Sequence, residues 1–147
     1  MEKIPEVEAA KTVMNEAVVW SVMKWLREKK RVRKTADQAN AALDQLNQAV
    51  KDRWPHDIRV AYEGLVAQRS NETPPSPMIK PQTWLSAKKV KEADDAAYRA
   101  RMDAEGTFDE AERQLSTSLA REGCRKAIQS WELHEKAIRK AEALVPQ

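Results

Sequence analysis

The chain has 147 residues, of which 33% are charged, 5% are aromatic and only three are glycine. This length suits a single domain, and a composition rich in Ala, Glu, Lys, Arg, Gln and Leu with little glycine is typical of long α-helices. The single cysteine excludes an intramolecular disulfide and any zinc or haem-attachment motif built on cysteine pairs. The net charge of +3 does not by itself indicate a polyanionic partner.

The first predicted element is a long helix between Pro5 and Pro55, because no glycine or proline interrupts that stretch. Apolar residues recur along it with a seven-residue step, in two rows four residues apart, which places them on one face of a helix. Thr35 and Gln38 match a capping box, which would begin a new helix at that point. Because the seven-residue register passes through position 35 without a slip, we predict one continuous helix.

The early part of this helix, from Val13 to Leu26, is apolar nearly all round and needs cover on several sides. It is interrupted by polar residues and is shorter than the roughly 20 apolar residues of a membrane span, so we expect no span. Either the rest of the same chain or a second copy could supply this cover, and a second copy is the one that we expect. The predicted homodimer interface consists of Val13, Met14, Val18, Val22 and Trp25. The acidic N-terminus lacks a signal-peptide pattern, and together with the single cysteine this predicts a cytoplasmic protein.

A basic segment, residues 24–34, lies within the same helix and contains seven basic residues and one acid, Glu28. Its local charge is +6, so the rest of the chain sums to −3. Clustered lysine and arginine release counterions from a phosphate backbone, which makes nucleic-acid binding an alternative function. With the adjoining tryptophan-rich stretch, the segment could also lie at a membrane surface. The residues that would contact phosphate are Lys24, Arg27, Lys29, Lys30, Arg31, Arg33 and Lys34. The competing interpretation is a solvated helix face, neutralised in part by acidic residues elsewhere in the fold. The acids considered for this role are Asp94, Asp95 and Asp103.

Pro55 opens a second, shorter predicted helix that runs to about Arg69. The segment 70–81 reads SNETPPSPMIKP and contains four prolines, so it is predicted to be an extended connection. It divides one domain, residues 1–147, into the helical halves 5–69 and 82–145.

The second half begins near Thr83 and carries a stop-and-restart pattern at Gly106, where Thr107 and Glu110 match a capping box. The pattern predicts that the helix either breaks there or only bends. An apolar stripe from Phe108 to Val145, with Leu115 among its members, has a step of about 3.7 residues and predicts a nearly straight helix. Gly123 lies on this stripe and indicates close approach by another helix or a tryptophan ring, because a helical glycine otherwise costs about 1 kcal/mol. The predicted fold is all-α, either a long antiparallel helical hairpin or a four-segment bundle, and dimeric.

The sequence contains no motif that indicates catalysis, a metal or a cofactor: a glycine-rich phosphate loop, paired carboxylates and a Ser-His-Asp order are all missing. His56 and His134 lack a second histidine or cysteine at ligand spacing. Cys124 lacks an oriented base, so structural roles are predicted for all three residues. The tryptophans could frame a pocket, but tryptophan at helical spacing more often belongs to a core or an interface. They are Trp20, Trp25, Trp54, Trp84 and Trp131.

These patterns together predict a non-enzymatic helical interaction or assembly protein that dimerises through the apolar stretch of its first helix. One alternative is a nucleic-acid-binding protein that uses the basic segment and therefore loses affinity steeply with added salt. A second alternative is a helical bundle that holds an apolar ligand between tryptophan-lined helices. Such a bundle would contain an internal cavity and would be stabilised by its ligand.

Overall fold

Four α-helices and no strand make up residues 22–68 and 72–146, the part of the chain that this computed structural model describes. The helices are α1 (Val22–Lys51), α2 (His56–Ala67), α3 (Pro81–Gln114) and α4 (Thr117–Glu142). The all-α prediction is thereby confirmed. Within the described ranges, no helix has the length and apolar character needed to cross a membrane.

The two helices α3 and α4 pack against each other and run in opposite directions. The ring of Phe108 on α3 lies over Gly123 on α4, where an added Cβ would stand 3.0 Å from Phe108 Cδ1. One turn away, Lys126 Nζ lies 3.2 Å from Asp103 Oδ2. The predicted close approach of another helix at Gly123 is confirmed, and the ring that approaches it is that of Phe108 and not of a tryptophan.

Helix α1 packs small apolar residues into the same core and also forms polar contacts with α3. Near its start, Arg33 Nη1 lies 2.6 Å from Asp109 Oδ1. Near its end, Asn47 Nδ2 donates to Asp94 Oδ1 at 3.1 Å. Since rising residue numbers on α1 meet falling numbers on α3, α1 runs antiparallel to α3 and in the same direction as α4.

Three apolar clusters hold the helices together, and each contains one buried tryptophan. The largest surrounds Trp131, and six of its eleven buried members are alanine, so the helices approach closely and Trp131 supplies much of the filled volume. Trp54 lies in the second cluster, where its Nε1 donates to the carbonyl oxygen of Ala141 at 2.8 Å. Trp84 lies in the third, beside Leu65. These three tryptophans are core residues.

Two threonines that match capping boxes lie inside continuous helices. The Thr35 hydroxyl donates to the carbonyl oxygen of Arg31 at 3.0 Å, and the Thr107 hydroxyl donates to that of Asp103 at 2.9 Å. A threonine that bonds to the preceding turn of its own helix has no need to cap a new one. The continuity of α1 through Thr35 is therefore confirmed, and of the two alternatives at Gly106, a break or only a bend, the break is excluded because α3 continues through it.

The prediction of one helix from Phe108 to Val145 is also wrong, because the chain reverses at Leu115 and Ser116. Leu115 ends α3 in the left-handed conformation, with φ 50° and ψ 40°. Its side chain is 55% exposed instead of buried in the stripe. Ser116 begins α4, since its Oγ accepts a hydrogen bond from the Leu119 backbone N–H at 3.2 Å. The apolar stripe is thus shared by two helices that pack side by side.

Candidate functional site: the basic face of helix α1

The basic segment lies in the first half of α1, and the structure separates its charges by direction. At 3.6 residues per turn, one group of cations lies on the opposite side of the helix from the buried residues Ala36 and Leu43. The side chains of this group are exposed, and we call them the outer basic face: Arg27, Lys30, Arg31 and Lys34. Four of the seven predicted phosphate-binding residues therefore share one accessible surface.

Arg33 belongs to the same segment but points along the flank of α1 toward α3. Its guanidinium pairs with Asp109 at 2.6 Å, and both side chains are partly exposed. The acids that were expected to neutralise the segment pair elsewhere, with Lys51, Lys91 and Lys126. They are Asp94, Asp95 and Asp103. Asp109 is therefore an acid that the structure places against Arg33 of this segment.

Several predicted site residues lie outside what the structure describes. The interface residues Val13, Met14 and Val18 precede the described range. The remaining ones lie in the first turns of α1, where the backbone is described as helical but the side chains are not. These are Val22, Lys24, Trp25 and Lys29.

The start of α1 extends past the end of α3. Eleven residues of α1 precede Arg33, about 16 Å at 1.5 Å per residue. Only five residues of α3 follow Asp109, the partner of Arg33, which is about 8 Å. Because the two helices are antiparallel, the first turns of α1 stand beyond the turn between α3 and α4.

A polar cluster that the sequence analysis did not predict joins α1, α2 and α3. Lys51 Nζ lies 2.6 Å from Asp94 Oδ2 and donates to the Tyr62 hydroxyl at 2.8 Å. That hydroxyl in turn donates to Asp94 Oδ2 at 2.8 Å. Burial, reinforced by the negative charge of Asp94, raises the pKa of Tyr62 well above its ordinary value of 10, so Tyr62 keeps its proton. The cluster fixes three helices together by charge and hydrogen bonding.

A cavity of about 270 Å³ opens beside this cluster. Four of its lining residues are charged, and Trp54 is the only tryptophan among them. The lining consists of Gln48, Lys51, Asp52, Trp54, Arg59, Tyr62, Glu63 and Val66. A lining with four charged residues and one tryptophan differs from the tryptophan-lined apolar cavity that the ligand-binding alternative requires.

His134 and Cys124 are both buried on α4, and Cys124 belongs to the cluster around Trp131. The Nε2 atom of His134 has no hydrogen-bond partner within the described ranges. Burial lowers the pKa of His134 below its ordinary 6.5, while Asp44 and Asp94 oppose that shift and Arg101 adds to it. In the described part of the chain, no three His, Cys, Asp or Glu side chains are grouped so as to hold a metal ion.

The lowered pKa of His134 makes the stability of the fold dependent on pH. Below about pH 6.5 the unfolded chain binds a proton at this histidine that the folded chain resists, so the free energy of unfolding falls as the pH falls. We expect denaturant titrations at about pH 7.5 and pH 5.5 to show this loss in the wild type and a smaller loss in His134→Leu. His56→Leu is the control, because His56 is exposed and its replacement leaves the loss in place. Identical pH dependence in wild type and His134→Leu would contradict the assignment.

Comparison with protein-family models, with curated proteins and with solved structures found no match to this chain. Its function is therefore inferred from its own residues and contacts.

Proposed function

We propose that this chain is a non-enzymatic helical interaction protein that assembles with a second copy of itself through α1. The supporting argument is that the helix lengths on either side of the Arg33–Asp109 pair place the start of α1 about 8 Å beyond the turn between α3 and α4. The sequence that leads into this part of α1, Val13–Leu26, is apolar nearly all round. A helical segment of that composition would need a second surface to cover it.

The proposed dimer pairs the same surface of two copies about a two-fold axis. Its contact residues are Val13, Met14, Val18, Val22 and Trp25. Within each copy we favour the four-segment bundle over the two-helix hairpin, because α1 packs on α4 and α2 packs on α3. In this arrangement the apolar side of α1 meets the partner, and the outer basic face keeps the assembly soluble and selects what it contacts.

The oligomeric state of the full chain tests this proposal directly. Light scattering on a sizing column should give about twice the 16.8 kDa chain mass at both low and high salt, because apolar burial is not screened by ions. Val18→Glu should give a monomer, since it places a charge in the interface. Lys34→Glu is the matched control, on the outer basic face of the same helix, and should stay dimeric. A wild-type monomer at both salt concentrations would overturn the proposal.

A further inference from the structure

We propose that the outer basic face of α1 docks on the phosphate backbone of double-stranded nucleic acid. This inference rests on the proposed function, since it names the partner of the helix through which the protein interacts. It assigns phosphate contacts to Arg27, Lys30, Arg31 and Lys34, whose side chains are exposed. It excludes Arg33, whose guanidinium is held by Asp109.

The shape of α1 fits a nucleic-acid groove. The outer basic face covers seven residue steps, about 10 Å along the helix axis. An α-helix is about 10–12 Å across with its side chains, and the major groove of B-form DNA is about 12 Å wide. The outer basic face lies alongside the last turns of α3, but it is on the side of α1 opposite the buried residues Ala36 and Leu43, so a duplex can approach it from solvent.

The charge distribution favours a single docking direction. The segment 24–34 carries a net charge of +6, and the rest of the chain sums to −3. A polyanion is therefore attracted to α1 and repelled, on average, by the remaining surface. Along α1 the face ends before Asp37, the first acidic residue after Lys34. Phosphates that follow the helix from Arg27 to Lys34 thus meet exposed cations on every turn.

Because Arg33 forms an ion pair with Asp109, it serves as the control residue for the binding experiment, which the sequence alone could not identify. Arg33 lies between Arg31 and Lys34 in the chain, yet its charge is directed to α3 and compensated there. If the segment acted only through its total charge, removing any one cation would weaken binding equally. If the outer basic face makes the contacts, Arg33 is dispensable for binding and Lys30 and Lys34 are not.

The experiment measures anisotropy of a labelled, mixed-sequence DNA duplex with the full-length chain across a series of salt concentrations. Four phosphate contacts per chain predict that the logarithm of the binding constant falls with the logarithm of the salt concentration with a slope of about −3.6 or steeper. Replacing Lys30 and Lys34 together by glutamine should reduce that slope by about 1.8 and weaken binding roughly 60-fold near 0.1 M salt. Arg33→Gln should leave the slope unchanged. Circular dichroism of each variant checks that the helices remain folded.

Four other results would each contradict a different claim, either about nucleic-acid binding or about assembly. No duplex binding at low salt, with a dimer still present by light scattering, overturns this inference and leaves the assembly proposal intact. Duplex binding by a chain that is monomeric overturns the assembly proposal instead. Equal losses in Arg33→Gln and in the double variant overturn the assignment to the outer basic face. Tighter binding to phosphatidylserine vesicles than to the duplex overturns nucleic acid as the partner in favour of a membrane surface.

Discussion

Replacement of Trp131 by alanine should lower the free energy of unfolding by about 3–5 kcal/mol, the range observed when a buried tryptophan or phenylalanine is truncated in a core. Trp131 is the largest fully buried side chain in the described part of the chain, with 1% of its surface exposed. Most of its buried neighbours are alanines from α1, α3 and α4. Alanine side chains cannot rotate into the space that the indole leaves, so the cavity would remain.

Denaturant titration followed by far-ultraviolet circular dichroism measures this loss without relying on tryptophan fluorescence. Domains of this kind are stable by about 5–15 kcal/mol in total, so the variant should be close to unfolded if the wild type is at the low end. Trp131→Phe should fall between the wild type and the alanine variant. Met102→Ala, at an exposed position of α3, is the control and should change stability by less than about 0.5 kcal/mol. A loss below about 1 kcal/mol for Trp131→Ala would contradict a core built around this residue.

Replacement of Asp94 by alanine should cost about 2–4 kcal/mol, the second largest effect that we expect. Its carboxylate accepts hydrogen bonds from Asn47 on α1 and Tyr62 on α2, and it forms an ion pair with Lys51 on α1. The side chains of Lys51 and Asp94 are only 18% and 16% exposed. Without Asp94 the ammonium of Lys51 stays largely desolvated and loses its counter-charge. We place the cost below that of a fully buried pair because water still reaches both groups.

A second aspartate on the same helix shows how much of this cost comes from the burial of the ion pair. Asp103 pairs with Lys126 at 3.2 Å but is 62% exposed, so Asp103→Ala should cost less than about 1 kcal/mol. Asp94→Asn keeps the shape of the side chain and should lie between wild type and Asp94→Ala. The measurement is again the free energy of unfolding by denaturant titration. Equal losses for Asp94→Ala and Asp103→Ala would show that the cluster does not hold the three helices together.

The helical class and the course of α1 could be predicted because both depend on short-range patterns. Low glycine content and a seven-residue apolar step require only that neighbouring turns of one helix share a face. For that reason the prediction that α1 continues through Thr35 is confirmed. The same patterns misplaced the reversal near the C-terminus, because Leu115 in a left-handed conformation has no sequence signal of the kind that glycine provides. A stripe that passes from one helix to its neighbour looks the same along the sequence as one straight helix.

Some features of the candidate site depend on residues close together in the sequence, and others depend on contacts between distant residues. The sequence by itself determined that α1 is a long amphipathic helix with a cluster of positive charge, since residues a few positions apart are neighbours on any helix. Only the tertiary structure decided that Arg33 is compensated by Asp109 while Lys30 and Lys34 stay exposed, and that Lys51, Tyr62 and Asp94 meet. These partners are 76, 11 and 32 residues apart in the chain. Contacts at such separations depend on where packing places whole helices, and periodicity within one helix carries no information about that.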